Sequence, residues 1–192
     1  MPLWKKIFFT FCGALAAVVV GSWLLPRTAV VERSIEIQRA APEIFGVLNS
    51  FERFNDWSPW FDDDPQAAYT RSGPPAGVGA RHAWKGNEAV GEGSQTITAS
   101  VPDRQVDIAL VLGDRPPVLS RYTLEPLATG TRVTWRFEAD LGINPVMRWF
   151  GLMFDSMIGS DFAQGLGQLK VLLERAPAGA PPPAAAAVPA GN

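Results

Sequence analysis

From Pro145 to Arg175 the chain carries two apolar stripes at helical spacing, out of phase with one another. Val146, Phe150, Met153, Phe154, Met157 and Ile158 recur every three or four residues and fall on one helical face. Phe162, Leu166, Leu169 and Leu173 form a second stripe, rotated from the first by roughly 130° at ~100° per residue. Gly159 and Ser160 sit at the jump. Gly commonly ends a helix and Ser caps the next, so the pattern predicts two helices, the second running from about Asp161 to Arg175. In that reading Asp161 is a capping or first-turn acid, favoured by the free amides there. Continued without a break, the first helix would instead place its carboxylate inside the Phe150, Phe154 and Met157 stripe. Asp155 falls opposite that stripe and is expected to be solvated or salt-bridged.

Ahead of this helical stretch the period changes to two. Val30 to Gln38 alternates as a strand, and Ala41-Pro42-Glu43 opens a short helix to about Asn49, with Pro at home in the first turn. Phe51 to Phe61 is aromatic and irregular. Six further strands follow, bounded by Gly, Pro or Asp: Ala67 to Arg71, Gly79 to Lys85, Gly91 to Val101, Arg104 to Leu112, Leu119 to Pro126 and Thr131 to Asp140. Val106, Ile108, Leu110 and Leu112 define one inward face. Val133, Trp135 and Phe137 define another, with Arg132, Thr134, Arg136 and Glu138 turned to water. The expected class is α+β, an antiparallel sheet curved around the last helix with an apolar cavity between them.

At the N-terminus, Ile7 to Leu25 contains no charged residue, and at ~1.5 Å per residue it spans roughly 28 Å, close to a bilayer core. Lys5 and Lys6 precede the run and Arg27 follows it, so the positive-inside bias places the N-terminus in the cytoplasm and the rest on the extracytoplasmic, periplasmic side. A signal peptide, leaving a secreted protein after cleavage, shares these features. The uncleaved anchor is preferred because the run is long and no Ala-x-Ala site follows closely. The organisation read from the sequence is an anchor over 1–27, one globular domain over 28–175, and an Ala/Pro tail over 176–192 without apolar periodicity, expected to be disordered.

Composition narrows the function. The 192 residues carry a net charge of −2, which gives no basic field for nucleic acid. One Cys and one His leave no thiolate metal site, no disulfide and no conventional zinc set, so neither metal nor cofactor is expected. Asp62, Asp63 and Asp64 lack the glycine and distal glutamate of an EF-hand and read as a solvated loop. Gly77-Val78-Gly79 precedes a strand rather than opening a helix, which is the wrong context for a dinucleotide.

Gly77-Val78-Gly79, Trp84-Lys85-Gly86, Gly91-Glu92-Gly93, Gly130-Thr131-Arg132-Val133-Thr134-Trp135 and Gly165-Leu166-Gly167-Gln168-Leu169-Lys170, taken in order, resemble the SRPBCC, or START-like, superfamily. Its polyketide cyclase/dehydrase branch is the nearest match. Phe54-Asn55-Asp56-Trp57-Ser58-Pro59-Trp60 and Gly151-Leu152-Met153-Phe154-Asp155 fit the same pattern, and the resemblance covers about Val31 to Glu174. It implies a helix-grip fold, a seven-stranded antiparallel sheet wrapped around the C-terminal helix with a hydrophobic ligand cavity. It does not imply a reaction, because carriers, receptors and cyclases share the fold.

Candidate cavity residues are Trp57, Trp60, His82, Trp84, Tyr122, Trp135, Phe137, Phe150, Met153, Phe154 and Met157, with Trp149 and Met147 nearby. Aromatics and flexible thioethers suit an apolar guest. His82 is a weak catalytic candidate, since imidazole is the group that titrates near neutrality, but a hydrogen-bonded wall residue is the simpler reading. No Gly-x-Ser-x-Gly elbow occurs. The leading expectation is a membrane-anchored module for a hydrophobic small molecule or lipid. The alternatives are a cyclase/dehydratase-type enzyme using the same cavity, and an envelope structural or protein-interaction module. The sequence leaves the oligomeric state open.

Overall fold

A computed structural model describes residues 2–175. The tail expected over 176–192 lies outside the described residues. The strands are β1 (Thr28–Ile37), β2 (Ala68–Ser72), β3 (Arg81–Lys85), β4 (Glu92–Val101), β5 (Gln105–Leu112), β6 (Val118–Leu127) and β7 (Gly130–Asp140); β2 to β7 follow one another with short links, while a helix and two 3-10 turns separate β1 from β2. They form one antiparallel sheet in the order β1-β7-β6-β5-β4-β3-β2. Helices are α1 (Leu3–Ser22), α2 (Ala41–Leu48), α3 (Pro145–Gly151) and α4 (Phe154–Arg175).

Alternation sets the two faces of the sheet. On β7 the buried Val133, Trp135 and Phe137 point inward, and Val31 and Ile37 of β1, Val106 and Ile108 of β5, Tyr122 and Leu124 of β6 and Ile97 of β4 join them. Leu110 is partly covered and Leu112, at the strand end, is exposed. The outer face carries ion pairs instead: Arg132 with Glu36, Arg136 with Glu32, and Arg121 with Asp107. A register shift between Ile97 and Ala99 breaks the β4–β5 ladder and helps the sheet curve. Across the concave side lies α4, which buries Phe162, Leu166, Leu169 and Leu173 against β1 and β7.

The two-helix expectation is corrected at its boundary. Gly159 does not end a helix: α4 runs unbroken from Phe154 to Arg175, and the chain turns earlier, at Leu152 and Met153. Gly159 is buried, and a Cβ there would collide with the Arg33 guanidinium from β1. Its role is close approach, allowing α4 to cross over Arg33 while Arg33 pairs with Asp155 at 2.8 Å. That hydrogen bond raises the Arg33 pKa and lowers that of Asp155, which is the salt-bridged acid expected from its position. Asp161, expected to cap, is a half-buried residue inside α4. The phase jump therefore marks a change in what surrounds the helix. Phe162 onward faces the sheet, whereas Met153 and Met157 stay half-exposed.

α3 starts where Pro145 predicts, and the Asn144 side chain caps it by accepting from the Val146 and Met147 amides. α1 begins before the charge-free run, taking in Lys5 and Lys6, and ends at Ser22.

Candidate functional site

The irregular aromatic segment after α2 resolves into two single 3-10 turns, Phe54–Asp56 and Pro59–Phe61, which hold Phe54, Trp57 and Trp60 over the concave face. Phe54 and Trp57 are buried and Trp60 packs partly covered against the core. Gly165 allows α4 to close on this segment, since a Cβ there would sit 3.1 Å from both Pro59 and the Trp135 ring.

Two ring clusters meet at Trp57. The first surrounds His82, which alternation on β3 turns inward, as expected, to 2% exposure. Its imidazole stacks on Tyr69 (centroids 5.4 Å apart, 6° between planes) and on Phe51 (5.8 Å, 24°). Phe54 meets it edge-on and Trp84 lies 6.3 Å away. Gln95 Nε2 donates to His82 Nδ1 at 3.2 Å, which fits a neutral ring protonated at Nε2. Burial, with the Arg71 charge adding to it, lowers the His82 pKa to about 4. The ring is thus neutral at pH 7. The Gln95 amide fixes the orientation of the ring.

The second cluster is centred on Trp135. Its indole stacks on Phe162 at 4.1 Å and lies 5.2 to 5.8 Å from Tyr122, Trp57 and Trp60. Nε1 donates to Ser120 Oγ at 2.9 Å. Burial raises the Tyr122 pKa well above its ordinary value, so its phenol stays neutral. Phe137 stacks on Phe154 at 5.9 Å, and Phe150 meets Phe154 edge-on at 5.7 Å. The rings thus form one path from Tyr69 to Phe150.

Of the residues expected to line the cavity, Trp57, Trp60, His82, Trp84, Tyr122, Trp135, Phe137 and Phe154 come together in this path. Phe150 is at its rim, 39% exposed, while Met153 and Met157 face outward on the turn into α4. The pattern had not singled out Phe51, Phe54, Tyr69 or Gln95 for the site, although Tyr69 pairs directly with Trp84 in the β2–β3 register. Depressions of about 1150, 580 and 450 Å³ open on the surface, and no ring of the path lines them.

Two polar atoms in this region are buried without a partner, Trp57 Nε1 and Gln168 Oε1. Gln168, on α4, lines a depression together with Asp56, the residue before Trp57. An indole N–H can only donate. Left unpaired in an apolar interior, such a donor costs on the order of 1–3 kcal/mol.

At the other end of the path α3 touches α1. Arg148, nearly buried, donates from Nη1 to the Ser22 carbonyl and from Nε to Gly142, both at 3.1 Å. Trp149 Nε1 donates to the Val18 carbonyl at 3.1 Å. The Ser22 carbonyl also accepts from the Leu25 amide at 3.2 Å, so these side-chain bonds are additional to those of the helix end and tie α3 to α1. α1 is long and apolar enough to cross a membrane and fits either a single-pass anchor or a signal sequence. Near Asp62 to Asp64, Asp64 organises the loop, accepting from the amides of Gln66 and Asn87.

The profile of a family described as polyketide cyclase / dehydrase and lipid transport matches residues 28–174. Among solved structures, the chain is similar to the Aha1 dimer from Colwellia psychrerythraea, with 19% identity and a TM-score of 0.55, over 76% of this chain and 96% of that one. An uncharacterised protein from Rhizobium leguminosarum matches at 14% identity and TM-score 0.55, over 78% and 96% of the two chains. The di-domain ARO/CYC StfQ from the steffimycin biosynthetic pathway matches at 10% identity and TM-score 0.57, over 77% of this chain and 51% of that one. At these identities the likeness is one of fold. No curated protein sequence matches significantly.

Proposed function

The chain belongs to the polyketide cyclase / dehydrase and lipid transport family of the SRPBCC superfamily, and from that premise we propose that it is a membrane-anchored module holding a hydrophobic small molecule or lipid between the curved sheet and α4. The observation that carries the reading is the unpaired Trp57 Nε1 within the buried ring path. Such a donor suits a guest that is apolar along its length and carries one oxygen acceptor. Because the rings already touch one another, a guest enters by displacing side chains or by moving α3 and the first turn of α4. Binding is therefore coupled to motion.

An uncleaved α1 is supported by the Arg148 and Trp149 bonds to its terminal carbonyls, which join the helix to the folded domain. With Lys5 and Lys6 ahead of the span, the domain sits on the extracytoplasmic side. His82 is read as part of the cavity wall.

Native mass spectrometry of the full chain released from mild detergent is expected to show an apolar molecule retained, or added oleate taken up. An empty chain that also fails to retain oleate overturns the proposal. In Trp57→Phe the donor is gone, and oleate affinity should fall roughly three- to tenfold, the worth of one hydrogen bond. The guest-free variant loses no hydrogen bond, so any fall in its stability should reflect only the packing lost with the smaller ring.

A further inference from the structure

We propose that the outward face of α3, with the turn into α4, is embedded in the headgroup and upper acyl region of the bilayer that α1 crosses. The domain is then seated on lipid instead of hanging from a tether. The proposal rests on the reading of α1 as an uncleaved span.

The depth of α3 follows from its attachment. Trp149 bonds the Val18 carbonyl, and its ring packs so close to Gly21 that a Cβ there would lie 3.3 Å away. Arg148 holds the Ser22 carbonyl one turn later. α3 is therefore fixed beside the final turn of the span, within about 6 Å of its end along the axis. In a bilayer that is the interfacial zone.

The side chains facing outward at that depth are apolar. Ile143, Val146, Met147, Leu152, Met153 and Met157 are exposed, Val146 by 69% and Met153 by 52%. From Leu141 to Met157 the charged residues are Arg148, whose guanidinium is occupied by α1 and Gly142 carbonyls, and Asp155, which pairs with Arg33. The convex face of the sheet, by contrast, carries arginine–carboxylate pairs. This apolar surface is continuous with that of α1, whose end adds the exposed Trp23 and Leu24. Together Trp23 and Trp149 supply two indoles at the boundary, where such rings concentrate. An amphipathic segment held there buries its apolar side chains among acyl chains. Facing water, the same patch would invite association.

Nitroxide labels on the full chain in vesicles of phosphatidylcholine and phosphatidylglycerol test this. The native Cys12, exposed in mid-α1, reports the span itself. Val146→Cys and Val101→Cys, each in a Cys12→Ser background, report α3 and the far end of the sheet. The label at 146 is expected to show severalfold higher accessibility to oxygen relative to a water-soluble nickel chelate than the label at 101. A lipid-like signal at Cys12 with a water-like signal at 146 overturns this inference and leaves the anchor standing. Shielding of 146 from both agents overturns it in favour of a protein partner or a second copy. A water-like signal at Cys12 removes the anchor, and the inference with it.

Discussion

Trp135→Ala is expected to destabilise the fold by about 3–5 kcal/mol, the range for removing a large buried aromatic side chain. Trp135 is 3% exposed, and its ring touches Phe162, Tyr122, Trp57 and Trp60 from four different parts of the chain. The four neighbours belong to α4, β6 and the two 3-10 turns, so no single backbone shift refills the space. Ser120 Oγ also loses its indole donor. Denaturant unfolding of the full chain in mild detergent should show the midpoint fall. The void is apolar on nearly every side and should stay dry, so the variant should also take up small apolar probes such as benzene. A loss below ~1 kcal/mol would mean that the rings repack and that Trp135 is not the centre of the interior.

The second large effect is one of pH. In the unfolded chain His82 titrates near its ordinary 6.5, and in the fold near 4. As pH falls through this window the unfolded state takes up the proton first, so stability is complete above 6.5 and declines between 6.5 and 4. At ~1.36 kcal/mol per pKa unit the decline totals about 3 kcal/mol. Below 4 the folded state takes up the proton as well, and the His82 contribution stops changing. The cause is burial of the ring among Tyr69, Phe51 and their neighbours, which removes an imidazolium from water, with the Arg71 charge adding to it. In His82→Gln the slope across this window should disappear, while the loss from carboxylate protonation at lower pH remains. An unchanged slope in that variant would assign the acid sensitivity to another group.

The sheet was legible because its strands obey the simplest rule. Val133, Trp135 and Phe137 alternate with charged or polar neighbours and end at glycine and aspartate, and the strand lies where that pattern puts it. His82 turned inward for the same reason. The α3–α4 region was read less well because two different environments write the same apolar letters. Phe162 and Leu166 are apolar to meet the sheet, whereas Val146, Met153 and Met157 are apolar on a face the protein itself does not cover. A stripe reports that a face avoids water and does not say what covers it. Gly159 misled in a related way, since a glycine that lets an arginine pass beneath a helix looks in sequence like one that ends it. Nothing in the pattern marked the Trp57 donor as unpaired, because that depends on which oxygens are out of reach. Nothing in the pattern marked Arg148 either, since its partners come from α1 and the Gly142 carbonyl.

The close contact of Trp57 and Trp60 with Trp135 has an optical consequence. Indoles 5.7 and 5.8 Å apart exchange excitation energy much faster than they emit. Light absorbed by one is shared with its neighbours, and a quenching or shift at any of them is read out by all. Arrival of a molecule among these rings would therefore register in the native ultraviolet emission without any dye.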